Sequence, residues 1–167
     1  FDWVVIEDEG EVNPGSGQVT SGGVDTIDLR GVVAGGLVTV DLGTMPWVEN
    51  VYGSSTLEND LTGNDRDNVL WGGAASDVLM GLDGNDTLVG FEGADFLYGY
   101  DDLLGAPTSG DHDILLGGGG AEVLEGAGGR DLLVGGSGGD TLSGRAGGDI
   151  LIGGTSQYDD VTDAANG

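Results

Sequence analysis

Eight acids fall at the same place in a nine-residue cycle: Asp77, Asp86, Asp95, Asp113, Glu122, Asp131, Asp140 and Asp149. Asn59 and Asn68 occupy that place ahead of them. Acids in such a series can gather a hard cation, or they can cap tight turns through their own backbone. Capping alone does not require the same position in eight successive units, which favours the cation. Leucine stands two places after each of these residues, from Leu61 to Leu151 with Ala106 the one exception. Glycine follows two places later, from Gly63 to Gly153. One acidic, one apolar and one flexible position on a fixed period describe a stacked solenoid.

The elements that must position these acids follow from the unit GGSGGDTLS (135–143). Its first six residues are small and suit a tight turn with positive φ. Its last three, Thr141-Leu142-Ser143, are extended, with one side chain inward and two outward. Each nonapeptide is then half a coil, and two short parallel sheets face each other across the leucines. Residues 18 apart stack about 4.8 Å from one another. That rule predicts one edge of Asn59, Asp77, Asp95, Asp113, Asp131 and Asp149. It predicts another of Asn68, Asp86, Leu104, Glu122, Asp140 and Tyr158. Two carboxylates about 5 Å apart repel by about 3 kcal/mol at an effective dielectric near 20. Repeated along an edge, this rivals a domain's whole stability of about 5–15 kcal/mol. A divalent cation between turns reverses the sign. Oxygen ligands without cysteine select calcium over zinc or copper.

Composition narrows the function. The chain has 167 residues, 37 of them glycine, and its only basic side chains are Arg30, Arg66, Arg130 and Arg145. Against 30 acids the net charge is −26. Nucleic acid and anionic membrane surfaces are excluded as partners, since nothing can neutralise phosphate. There is no cysteine, and no apolar run approaches the roughly 18 residues of a membrane span. The chain opens at Phe1 and stops after Asn166-Gly167, and it reads as a piece of something longer. Three regions separate: 1–53, rich in strand signals such as Trp3-Val4-Val5-Ile6 and Val38-Thr39-Val40-Asp41-Leu42; 54–154, the nine-residue beat; and 155–167, a tail that loses it. Turns such as Asn13-Pro14-Gly15 and Ser21-Gly22-Gly23 break up the first region.

The units GGSGGDTLS, GLDGNDTLV, GFEGADFLY and GAGGRDLLV resemble the repeat-in-toxin (RTX) family of hemolysin-type calcium-binding proteins, whose repeat is G-G-x-G-x-D-x-U-x. The resemblance covers about residues 54–154. Val24 to Asn68 also resembles the divergent coils that precede such repeats. The family implies an all-β, right-handed parallel β-roll, here with an N-terminal strand-rich region that forms a cap or divergent coils. It implies several calcium ions between successive turns, held by Asp77, Asp86, Asp95, Asp113, Asp131, Asp140 and Asp149 with the loop glycines Gly84, Gly93, Gly129, Gly138 and Gly147. Glu122, one methylene longer, and Asn68, which follows Arg66 where the family has glycine, complete that set. The resemblance further implies type I secretion, a bacterial extracellular or cell-surface location, and a chain that is disordered at low calcium. High net charge and few apolar residues predict the same apo disorder.

Residues 99–112 break the motif, yet Leu97 and Leu115 stay 18 apart, which predicts a degenerate half-coil that keeps phase. One outer face then carries Val78/Met80, Phe96/Tyr98, Ile114/Leu116, Leu132/Val134 and Ile150/Ile152. A patch this apolar is expected to be covered by the N-terminal strands, another domain or a second copy. His112, the only histidine, reads as a solvated loop residue, and Trp3, Trp47 and Trp71 read as core or cap packing. No H-E-x-x-H motif or nucleophile elbow occurs, so the chain is read as non-catalytic. Two functions fit: a calcium-dependent structural module of a secreted or surface-attached protein, or the C-terminal export and folding module of a secreted hydrolase such as a protease or lipase.

Overall fold

In the computed structural model, residues 5–7, 23–100, 111–155 and 160–162 are described, with side chains described over 23–100 and 111–155. Trp3, the turn at 13–15, residues 21–22 of the next turn, the stretch 101–110 with Leu104 and Ala106, and Tyr158 lie outside these residues. The nonapeptides form short strands alternating with glycine turns, because a lone inward leucine between two outward residues suits a strand. The strands build a parallel β-solenoid of two facing sheets. The longer sheet orders Val5–Glu7, Asp25–Asp28, Val48–Tyr52, Val69–Gly73, Thr87–Glu92, Ile114–Gly120, Leu132–Gly138 and Ile150–Gly154. The shorter one runs Val38–Asp41, Asn59–Thr62, Val78–Met80, Phe96–Tyr98, Val123–Glu125, Thr141–Ser143 and Asp160–Thr162. Every pairing within these two sheets is parallel except that of Val5–Glu7 with Asp25–Asp28. One 3-10 turn, Leu42–Thr44, is capped by the Asp41 side chain.

Nine leucines from Leu61 to Leu142 sit fully buried in register between the sheets, with Leu151 partly buried at the end of the row. Each contributes about 1.5–3 kcal/mol by leaving water. Ile27, Leu29, Leu42, Val48 and Val51 extend the same core toward the N-terminus. Residues 25–52 are thus coils of the roll itself, in the longer spacing that pairs Ile27 with Val51. Toward the C-terminus, Asp160–Thr162 pairs with Thr141–Ser143. Among the described residues no helix is long and apolar enough to cross a membrane.

The expected phase across residues 99–112 is overturned. Ile114 pairs with Thr87 and Val123 with Phe96. Asp86 likewise bonds to Asp113, 27 residues on rather than 18. Gly99 still stands against the Asp113 carboxylate as Gly81 stands against that of Asp86. One turn therefore holds nine more residues than its neighbours, and its two ends meet as in any other turn. The five-pair apolar face does not form. Val78/Met80 and Phe96/Tyr98 share the shorter sheet with Val123/Glu125 and Thr141/Ser143, while Ile114/Leu116 joins Val69/Trp71 and Thr87/Val89 on the longer one. Two tryptophans also depart from expectation: Trp47 is exposed, and the Trp71 side chain stacks on Tyr52 at 4.0 Å on the outer face of the longer sheet.

Candidate metal centre

The acids line the two edges where strands enter from the turns, and the aspartates among them accept hydrogen bonds from the coil before them. On one edge the Asn68 N–H donates to Asp86 Oδ1 at 2.8 Å and the Asp86 N–H to Asp113 Oδ1 at 2.8 Å. The ladder continues from the Asp113 N–H to Asp131 at 2.9 Å, and from the Asp131 N–H to Asp149 at 3.0 Å. On the other edge Asn59 donates to Asp77 at 2.7 Å, Asp77 to Asp95 at 2.9 Å, and Glu122 to Asp140 at 3.2 Å. The expected columns are corrected accordingly. Asp113, Asp131 and Asp149 stand above Asp86, whereas Glu122 and Asp140 belong with Asp77 and Asp95, because the long turn exchanges the edges.

Glycine at the first position of each unit makes room for these carboxylates. A Cβ on Gly81 would collide with Asp86 Oδ2, and one on Gly135 with Asp140 Oδ2. Deeper in the turn, Gly138 has φ +144°, and a Cβ there would strike the carbonyl oxygen of Gly120 in the neighbouring coil. Gly84, Gly93, Gly129 and Gly147 share this positive φ. Carbonyls of adjacent turns are thereby brought close to the acid edge. Among the described residues no three acidic or histidine side chains converge at one point.

Several of these aspartates have one carboxylate oxygen in use and the other not. Asp86, Asp95, Asp131 and Asp149 each leave a buried Oδ2 without a hydrogen-bond partner. Such an atom costs about 1–3 kcal/mol, more when charged. Burial is the main cause of their altered acidity. It pushes Asp86 up to about 7 and Asp113 up to about 8, reinforced by neighbouring acids. Asp95 and Asp131 rise to about 6, and Asp77 also rises. Glu122 reaches about 8 through burial and the Asp140 carboxyl beside it. Orphaned buried oxygens, raised acidity and a glycine cradle fit a hard divalent cation.

The first turns are built differently. Asn59 Oδ1 accepts from the Ser54 N–H at 2.7 Å, and its Nδ2 donates to Ser54 O, Leu57 O and Asp77 Oδ1. Asn68 Oδ1 accepts from the Asn64 N–H, and its Nδ2 donates to Val48 O and Glu49 O. These amides satisfy themselves without charge. Asp77 stands between the two kinds, since its Oδ2 accepts from the Gly73 N–H of its own turn at 2.6 Å. The capping reading of the acids therefore holds for one oxygen only.

A second ladder escaped the sequence reading. Asp67 Oδ1 accepts from the Asn85 N–H, Asn85 Oδ1 from the His112 N–H, and His112 Nδ1 from the Arg130 N–H at 3.0 Å. His112 is exposed but engaged. The signal was a polar side chain just before the acid on that edge, legible only once the long turn had set the columns.

The RTX calcium-binding nonapeptide repeat model matches four times, at residues 56–88, 71–102, 108–133 and 125–156, together more than half of the chain. No curated protein and no solved structure matches. The repeats, the parallel roll and the buried acid ladders agree, and the chain belongs to the RTX calcium-binding nonapeptide repeat family.

Proposed function

We propose that this chain is a calcium-stapled folding module of a secreted or surface-attached bacterial protein. In this family the repeat domain itself is non-catalytic and can form part of a larger enzyme. The observation that carries the reading is the pair of buried acid ladders with their orphaned oxygens. Asp77, Asp86, Asp95, Asp113, Asp131, Asp140 and Asp149 supply the carboxylates, and the turns holding Gly84, Gly93, Gly129, Gly138 and Gly147 supply carbonyls. Glu122 contributes beside Asp140. Asn68 brings no charge to that set, and its amide atoms already hydrogen-bond within the protein.

Bound calcium supplies the positive charge that converts repulsion between stacked carboxylates into attraction. The residues do the rest. Oδ1 of each acid fixes the spacing of the coils, Oδ2 is held dry, and the leucines close the core only when the edges tolerate each other. With a net charge of −26 the chain gains little by collapsing alone, so binding energy becomes folding energy. Such a chain passes unfolded through a type I export channel and orders outside, where calcium is plentiful.

Far-UV circular dichroism during a calcium titration tests this. Strand signal should be weak in chelator and rise cooperatively with calcium, and an equal signal in chelator refutes it. The alternative, the export and folding module of a secreted hydrolase, uses the same roll. An upstream protease or lipase domain in the parent gene would select it.

A further inference from the structure

Outside the acid edges, the outer surface of the longer sheet carries a cleft of about 370 Å³. Trp71 and Tyr52 stack at 4.0 Å with 13° between their planes, and the Arg30 guanidinium lies over the far side of Tyr52 at 4.3 Å. Phe91, Ser55 and Glu92 also line the cleft. The Phe91 backbone follows the repeat, since Leu82, Ala127 and Arg145 take positive φ at the same place in their units. Phe91 has φ +79° and is 48% exposed. In the same column its neighbours are Gly73, Gly118 and then Gly136. A bulky residue at positive φ costs on the order of 1–3 kcal/mol, and here the turn of the repeat imposes it. Exposure to water gives this side chain no compensating burial.

We propose that the Tyr52–Trp71–Phe91 cleft binds a neutral pyranose ring of a glycan. The C–H bonds on the face of a sugar ring carry partial positive charge and meet the negative face of an aromatic ring; with Tyr52 held between Trp71 and Arg30, that contact falls to Trp71 and Phe91. The hydroxyls around the sugar's edge match Glu92 and the Ser55 Oγ, which already donates to the Arg30 carbonyl, as acceptors, whereas an aromatic peptide side chain would leave these unmet. Net charge disfavours anionic sugars, and Arg30 is already held by Asp28 through two side-chain bonds. The volume lies at the small end of the roughly 300–1,000 Å³ of ligand sites, which suits one or two rings.

The calcium-loaded protein should be titrated calorimetrically with cellopentaose, maltopentaose and mannopentaose, with a tetragalacturonate as the anionic comparison. At least one neutral oligosaccharide should bind at or below about 1 mM, with the anionic one at least about tenfold weaker. Phe91→Gly matches the rest of its column and should leave the melting temperature unchanged or higher. It should weaken sugar binding at least about tenfold, as should Trp71→Ala. No binding by any neutral sugar at about 10 mM overturns the proposal. So does an undiminished affinity in Phe91→Gly, or saturation by phenylalanine amide where the sugars fail.

Discussion

Replacing Asp86 by asparagine separates the two jobs of an edge acid. The amide retains Oδ1, which accepts from the Asn68 N–H at 2.8 Å. Its Nδ2 can take the arrangement seen at Asn59, donating to the acid one coil on. What disappears is a buried charge. Burial pushes Asp86 from 3.8 to about 7. At about 1.4 kcal/mol per pH unit, keeping it ionised in the metal-free fold at pH 8 costs about 4 kcal/mol. Asp86→Asn should therefore stabilise the roll in chelator by about 2–4 kcal/mol, allowing for imperfect amide geometry. Removal of a carboxylate ligand should weaken calcium binding at that site by about tenfold or more. Circular dichroism at pH 8 in chelator should show added strand signal, and competition with a chromophoric chelator should show a lost or weakened site. An unchanged chelator spectrum together with unchanged calcium binding would refute the reasoning, because the acid would then be a turn cap and nothing more.

Acidity gives a related expectation. Folded-state values near 6–8 at Asp86, Asp95, Asp113, Glu122 and Asp131 exceed the ordinary 3.8 of Asp and 4.5 of Glu. The metal-free fold thus holds more protons than the unfolded chain between about pH 4 and 8, and loses stability as pH rises through that window. In chelator, strand signal should be stronger at pH 5 than at pH 8, and equal signals would count against buried carboxyls. Gly81→Ala places a Cβ against the Asp86 carboxylate and should cost several kcal/mol, whereas Gly148→Ala meets nothing within 4 Å and should change urea midpoints little. Deleting residues 102–110 restores a six-residue turn from Gly99 to Asp113. Calcium-loaded stability should stay within about 1 kcal/mol of the parent, since loop length enters only logarithmically. Collapse of the roll on that deletion would mean that the register across the long turn is wrong.

Much of the architecture was written in the period. Leucine every nine residues with small turns between specifies two-sheet coils, because no other placement buries all the leucines at once. The acid beat located both edges, and the missing cysteine and sparse basic residues pointed to a hard cation. The phase beyond residue 99 was not legible. The additional length of that turn equals one beat, so either phase keeps Leu115 inside and every glycine and acid in step. Only the pairing of Ile114 with Thr87 chooses between them, and that is a contact between distant strands. The same choice set the composition of both acid columns, placed Ile114 and Leu116 beside Trp71 and Val89, and stacked His112 between Asn85 and Arg130. The sequence by itself determined that the chain coils and that its edges are acidic. The tertiary structure decided which acids share an edge, which of their oxygens are left without a hydrogen bond, and that the turns ending at Asn59 and Asn68 close on neutral amides instead.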